Sequence, residues 1–371
     1  MNPPDTNAQG VAALARPEIR ALEPYASARA LAGSAGILLN ANENPWPPAG
    51  DDGLALNRYP DPQPAGLRQR LAELYGTGAE NLLITRGSDE GIDLLLRVFC
   101  RPGTDRVLVC PPCFGMYALS ARVQGAEVVE APLVECESGG ENTFDLAPDM
   151  EEKADGCRIV FLCSPNNPTG NTIDADRVAA LAEAHMGAGL VVVDEAYVEF
   201  APETSMLALL EQHPNLVLLR TLSKAHGLAG CRLGCVIARP EVIGLLRRII
   251  APYPLPTPTV AIALRALDDE ALAVERGHLA TLAAERARLV EALAASPGID
   301  RIWKGAANFV LARAVDGKRL VADAARAGIR LRDQSVQPGL ADCVRITVGT
   351  PEENSALIDF LRQWRPAEAP A

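Results

Sequence analysis

No apolar stretch in the 371 residues is long enough to span a bilayer. A basic excess is also missing: 35 Lys and Arg face 47 Asp and Glu, for a net charge of -12. Nucleic-acid binding, which wants a basic face, is therefore not expected. That balance leaves a small anionic substrate open, because a few local cations decide such a site. Histidine is scarce, with four residues, and none is spaced to complete a metal site with Cys110 and Cys113. Those two form a Cys-x-x-Cys whose middle residues are Pro111 and Pro112, and no second pair accompanies it, so neither a metal nor a redox site is expected. The nine cysteines are odd in number and show no framework spacing. Reduced thiols in a cytoplasmic protein are expected. No basic region followed by an apolar run opens the chain, so no secretory leader is expected. The composition, 48% hydrophobic and 22% charged, is that of an ordinary globular chain, and the length suits two domains.

What is present begins with apolar runs. The run at 190–193 is unbroken and mostly β-branched, the pattern of a strand covered on both faces in a parallel sheet. Asp194 is the first charge after it. Further strand-like runs lie around Ile84 and at 107–110, 128–129, 158–163, 216–219 and 233–237. Between them, Leu67, Leu71 and Leu74, and then Ile92, Leu95, Leu96 and Phe99, recur at helical spacing. Strands alternating with helices from about residue 80 to 240 indicate a doubly wound α/β domain. In such sheets ligands bind outside the carboxyl ends of the strands. The Gly87-Ser88 turn, the Asn167 loop, Asp194 with Tyr197, and Lys224 all fall at predicted strand ends.

Residues 1–20 read as a mobile arm or a marginal helix. The Pro-dense segment 251–258 is predicted not to be helical and marks a domain junction. An Ala-, Leu- and Arg-rich stretch to about Ala295 follows, more than one helix long. Runs at 301–303, 309–311, 329–331 and 344–348 then predict a smaller α+β domain. The expected organisation is an arm over 1–30, a large domain over 31–255 and a small domain over 256–371.

Lys224 sits just past a predicted strand end, among glycines that let backbone approach a ligand. Ser223 and Arg232 supply a hydroxyl and a fixed positive charge, groups that hold a phosphate while a lysine amine forms an imine. A solvated surface lysine is the plain alternative. The turn at Gly87-Ser88, running into a helix, presents free N–H groups to an anion, with ordinary capping as its alternative. Asp194 is placed to keep a pyridine nitrogen protonated; its plain role is a cap or a sheet-end ion pair. Asn167 and Tyr197 suit the tuning of a ring oxygen, and Phe114 suits stacking on a ring. Together these groups fit pyridoxal 5'-phosphate, with Lys224, once freed, as general base.

The stretches SPNNPTG and RTLSKAHGLAGCRLG resemble those of the fold-type I, class I/II pyridoxal-phosphate aminotransferases. LNANENP, LRDQ and VRITVGT are similar to the histidinol-phosphate aminotransferase branch of that family. The likeness, which also takes in LEPYASARAL, RYPDP and APYPLPTP, runs from about residue 20 to the end. It implies a large, mostly parallel sheet domain with a smaller α+β domain, and a homodimer with shared active sites. It implies that Lys224 holds the cofactor, that Asp194 pairs with its ring nitrogen, and that Asn167 and Tyr197 approach O3'. Ser88, Asp89, Ser223 and Arg232 would surround the phosphate, and Tyr59 would reach the neighbouring subunit's cofactor. Arg345 would bind the substrate's anionic group, joined by Arg332 because the substrate carries a phosphate. Tyr25 and Asn42 would line the substrate pocket. Phe114 stands where relatives often have tyrosine, a change that stacking survives. His226 stands where some relatives carry an aromatic, and its role is left open between neutral packing and catalysis.

The implied reaction is transamination between L-histidinol phosphate and 2-oxoglutarate, giving imidazole acetol phosphate and glutamate. The rivals are an aromatic or broad-specificity aminotransferase, a phospho-amino-acid decarboxylase of the same fold, and a regulatory module that binds ligand without turnover.

Overall fold

The run at 190–193 becomes a fully buried strand of a seven-stranded sheet. The computed structural model describes residues 10–25 and 36–366. The chain forms β1 (Leu82–Thr85), β2 (Arg106–Val109) and β3 (Glu127–Glu130), then a separate hairpin of β4 (Val134–Ser138) and β5 (Glu141–Asp145). It continues through β6 (Cys157–Cys163), β7 (Leu190–Asp194), β8 (Leu216–Thr221) and β9 (Gly234–Ile237). The large sheet has the order β1-β9-β8-β7-β6-β2-β3. From β8 to β3 all neighbours are parallel, and β9 runs antiparallel to both β1 and β8.

Alternate residues of β7 feed two cores. Val191 and Val193 join α1 (Ala65–Tyr75) and α4 (Ala175–Ala184) on one face. Leu190 and Val192 join α2 (Ser88–Phe99), α3 (Met116–Gln124) and α5 (Pro240–Arg247) on the other. All five β7 residues are buried, and each such aliphatic side chain contributes about 1.5–3 kcal/mol. Helices on both faces explain why the strand sequences are continuously apolar rather than alternating.

Of the expected mobile arm or marginal helix, the described part is the latter, docked through the short turns Val11–Leu14 and Pro17–Arg20. Val11, Ala15 and Ile19, spaced four apart, bury one stripe against the α2 and α5 face. Arg16 N–H donates to the Val98 carbonyl at 3.0 Å, and the Arg248 guanidinium donates to the Leu22 carbonyl at 3.0 Å. Residues 26–35, part of the expected arm and large-domain start, lie outside the described residues, as do 1–9.

The division between the cores differs from the expected boundary at 255/256. Helix α6 (Thr257–Ala266) begins inside the Pro-dense segment, with Pro258 in its first turn, where the missing N–H costs nothing. Ala263, Leu267 and Leu272 pack in the large-domain core, whereas Leu289 and Leu293 pack in the small one. The two cores therefore part within the single long helix α7 (Asp269–Ala294). The small sheet has the order β10-β11-β13-β12, formed by β10 (Ile299–Ile302), β11 (Phe309–Ala314), β12 (Arg332–Asp333) and β13 (Cys343–Thr347). It is backed by α8 (Gly317–Arg326) and α9 (Pro351–Gln363), the latter closed by a Thr350/Glu353 capping box. The strand expected at 329–331 is irregular, and pairing starts only at Arg332. Hydrophobicity marked the segment that packs, not the segment that pairs.

The β4–β5 hairpin was not anticipated. Its two-residue turn is Gly139-Gly140, both at positive φ, the geometry that matches the twist of paired strands. Phe144 of β5 packs with Trp303, and Lys304 N–H donates to Asn142 O at 2.8 Å, so the hairpin ties the large domain to the small one.

Candidate active site

The strand order delivers the predicted groups to one edge. Ser88 follows β1, Asn167 follows β6, Asp194 ends β7, and Ser223 and Lys224 follow β8. Because β9 is antiparallel, Arg232, which precedes it, reaches the same edge as groups that follow the parallel strands. Packing there is close. A Cβ on Gly234 would lie 2.7 Å from Arg220 O, Gly87 C and Ser88 N, so only glycine fits. Arg232 itself holds the left-handed conformation at φ 51°, which costs a non-glycine residue energy and is held by its surroundings.

These elements enclose a cleft of about 730 Å³. At one end, the Arg232 guanidinium donates to Ser223 Oγ and Asp89 Oδ2, both at 3.3 Å. Thr221 Oγ1 donates to Ser223 Oγ at 2.9 Å. Ser88 opens α2, whose first N–H groups lack intrahelical partners. A cation, a hydroxyl and a helix N-terminus together form an anion cradle, in which Arg232 offsets the Asp89 charge.

Asp194 also lines the cleft and is 2% exposed. Burial pushes its carboxyl up to about 6, against the lowering effect of bonds from the Tyr117 hydroxyl and the Ala196 N–H. Lys224 opens to the cleft, with Nζ 5.5 Å from the centre of the Tyr197 ring. Partial burial of the amine, then the Arg345 charge, lowers its pKa, which raises the share of nucleophilic free amine. Asn167 donates from Nδ2 to Tyr197 Oη at 3.4 Å, and its Oδ1 accepts from the Arg345 guanidinium. Phe114 is half-buried in the cleft wall.

Arg332 and Arg345 face each other across β12 and β13 and line the same cleft. Among the described residues, neither has a carboxylate partner. Burial holds Arg345 below the usual guanidinium pKa, and the neighbouring Arg332 charge adds to this. Two unneutralised guanidinium forks in one cleft are a site for a carboxylate or a phosphate.

Three predicted residues lie elsewhere in the single chain. Asn42 and Tyr59 line a separate cleft with Arg58 and Pro256–Pro258, and Tyr59 stacks on Tyr253 at 4.4 Å. Tyr25 is largely exposed and lines neither cleft. The cleft that holds Lys224 in one chain thus does not contain Tyr25 or Asn42. His226 turns away from the cleft, with Nδ1 2.8 Å from Glu275 Oε2 and Nε2 3.8 Å from Glu199 Oε1. Burial pushes Glu199 up to about 7.

One residue of the site carried no sequence expectation. Tyr117 is fully buried and donates its hydroxyl to Asp194 Oδ2 at 2.8 Å. The only signal was its position three residues after Phe114, which precedes α3 and meets the Tyr117 ring edge-on at 5.6 Å.

Residues 37–361 match the family model for aminotransferase class I and II. The chain belongs to that family. Curated relatives extend the match to nearly the whole chain. The histidinol-phosphate aminotransferase of Stenotrophomonas maltophilia is 47% identical over 96% of this chain and 98% of its own length. That of Xylella fastidiosa strain 9a5c is 46% identical over 98% and 100%. Among solved structures of the family's fold, the histidinol-phosphate aminotransferase from Sinorhizobium meliloti, in complex with pyridoxal-5'-phosphate, superposes with a TM-score of 0.73 at 27% identity. That superposition covers 87% of this chain and 89% of the other.

Proposed function

We propose that the cleft binds pyridoxal 5'-phosphate and transaminates L-histidinol phosphate with 2-oxoglutarate, giving imidazole acetol phosphate and L-glutamate. The residues fit the cofactor. The cradle of Arg232, Ser223 and the start of α2 suits its phosphate, and the buried Asp194 carboxylate suits a protonated ring nitrogen. When bound, the cofactor supplies a carbonyl for the amino group and an electron sink for the substrate carbanion. Lys224 would hold it covalently and, once freed, would take the proton from the substrate Cα as general base. Asn167 and Tyr197 would hold the cofactor's ring oxygen, and Phe114 would stack on its ring.

The observation that carries the substrate reading is the pair Arg332 and Arg345, unneutralised in the cleft, in a chain similar over nearly its full length to relatives named for histidinol phosphate. One pair of forks accepts the phosphate of one substrate and the carboxylate of the other. Arg332→Ala is expected to raise KM for histidinol phosphate by roughly 10–100-fold, the value of one or two hydrogen bonds to a charged group. The KM for 2-oxoglutarate should rise less, and equal losses for both would remove Arg332 as the phosphate selector.

A homodimer completes the proposal. Ile37 and Leu39 are nine-tenths exposed and Trp46 is three-quarters exposed, close in sequence to Asn42 and Tyr59, which fits a face covered by a second copy bringing Tyr59 to its neighbour's cleft. Nine free cysteines, most of them buried, suit a reducing cytoplasm. No helix among the described residues is long and apolar enough to cross a membrane.

The deciding experiment is a half-reaction on the cofactor-loaded protein. The cofactor absorbance is followed as L-histidinol phosphate, phenylalanine or aspartate is added singly. Fast loss of the band with histidinol phosphate alone supports the reading. Preference for an amino acid moves the substrate to the broad-specificity branch, and release of carbon dioxide moves the reaction to decarboxylation.

A further inference from the structure

A buried carboxylate keeps its charge only where donors reach it. Two donors reach Asp194: the Ala196 N–H at 3.1 Å from Oδ1 and the Tyr117 hydroxyl at 2.8 Å from Oδ2. Tyr117 comes from α3, 77 residues earlier in the chain. Its own position is fixed. The ring stacks on Phe161 with centroids 5.0 Å apart and 3° between planes, and Phe114 meets it edge-on at 5.6 Å. Burial, then the Asp194 charge, raises the phenol pKa well above its usual value, so the hydroxyl keeps its proton and acts as a donor. The other groups facing Asp194 are Asp89 from α2, Cys163 at the end of β6, Tyr197 after β7 and Lys224 after β8. Burial keeps Cys163 and Tyr197 neutral, Asp89 opposes the Asp194 charge, and Lys224 favours it.

We propose that Tyr117 is a positioning residue whose hydroxyl holds the Asp194 carboxylate in one orientation and in its charged form, ready for the cofactor's ring nitrogen. The inference rests on the placement of Asp194 against pyridoxal phosphate. It assigns the work of holding that carboxylate to a side chain outside its own strand. The stack on Phe161 gives the hydroxyl a fixed origin, and the Ala196 N–H, on the chain turning away from β7, fixes the second oxygen.

Tyr117→Phe keeps the ring, the stack and the volume and deletes only the donor. Loss of a donor raises the Asp194 pKa, so the carboxylate loses its charge at a higher pH. A pH titration of the cofactor absorbance in the loaded protein should show its acid limb moved up by about one unit, with pyridoxal phosphate bound roughly tenfold more weakly. Asp194→Asn is the second arm. If Tyr117 acts only through Asp194, adding Tyr117→Phe to Asp194→Asn weakens cofactor binding no further. An equal loss in both backgrounds makes Tyr117 a packing residue and overturns the inference. An unmoved limb and unchanged affinity in Tyr117→Phe, with Asp194→Asn weakened, overturns it as well. Unchanged affinity in Asp194→Asn overturns the placement of Asp194 and the inference with it. Phe161→Leu keeps the hydroxyl and unpins the ring, so it should move the limb the same way by less. Where Tyr117→Phe does not accumulate as folded protein, an unmoved limb in Phe161→Leu overturns the inference.

Discussion

Lys224→Ala is expected to lower kcat by at least about 10⁴-fold, the upper end of what one positioned proton-transfer group supplies. The loss should exceed that of any other cleft substitution because, in the function proposed above, the amine has two tasks, holding the cofactor and moving the substrate proton. Its surroundings are arranged for both. Partial burial and the Arg345 charge lower its pKa, and the Tyr197 ring lies 5.5 Å away. Among the described residues, no second lysine lines the cleft to take over. Borohydride reduction of the loaded wild-type protein, followed by mass spectrometry, should place the cofactor on the peptide carrying Lys224, and the variant should carry none. A variant that keeps near wild-type turnover would overturn the assignment of Lys224. Partial rescue by a small added amine would support the proton-transfer part of its role.

Glu195→Ala is expected to cost the largest share of stability, about 3–5 kcal/mol, because it leaves a buried cation without its partner. Glu195 is 0% exposed and Arg220 is 7% exposed. The Arg220 guanidinium donates to Glu195 Oε2 from Nε at 2.9 Å and from Nη2 at 2.7 Å, and it lies 4.6 Å from the centre of the Tyr75 ring. The other carboxylate oxygen accepts from Met206 N–H at 2.6 Å. Truncation takes the carboxylate from the guanidinium, which keeps its bond to Ser205 Oγ at 2.8 Å, and strands that N–H. The measurement is the shift in urea midpoint of the variant. Replacing the pair together, Glu195→Leu with Arg220→Met, should recover most of the loss, since apolar groups of similar volume do not need the partner. A midpoint shift in Glu195→Ala smaller than that of an exposed substitution would show that the charge is solvated in solution.

Several parts of this fold and site were legible in the chain because they are local properties. The unbroken apolar run before Asp194 can only be a strand covered on both faces, and the structure buries all of it. The turn at Gly87-Ser88 and the small residues around Lys224 mark strand ends, and ends of parallel strands share an edge whatever their order. That alone gathers Ser88, Asn167, Asp194 and Lys224. The hairpin turn at Gly139-Gly140 is equally local, but the exposed, charged sequence of β4 and β5 hides the apolar alternation that marks a strand.

Other features belong to the tertiary structure because they depend on which distant segments meet. The antiparallel insertion of β9 between β1 and β8 places Arg232 in the anion cradle. Pairing of β12 with β13 sets Arg332 against Arg345, and Arg345 reaches Asn167 across 178 residues. The helix α7 joins two cores that a Pro-dense segment appeared to separate, since proline forbids a helix interior but not a first turn. Periodicity and punctuation are set by neighbours a few residues apart, and so the amino-acid sequence determined the elements, their strand ends and the lysine. The partner that Tyr117 finds in Asp194, and the ring that His226 presents to two carboxylates instead of the cleft, were decided only when the helices packed on the sheet, because a hydrogen bond is fixed by position in space and carries no trace at either residue alone.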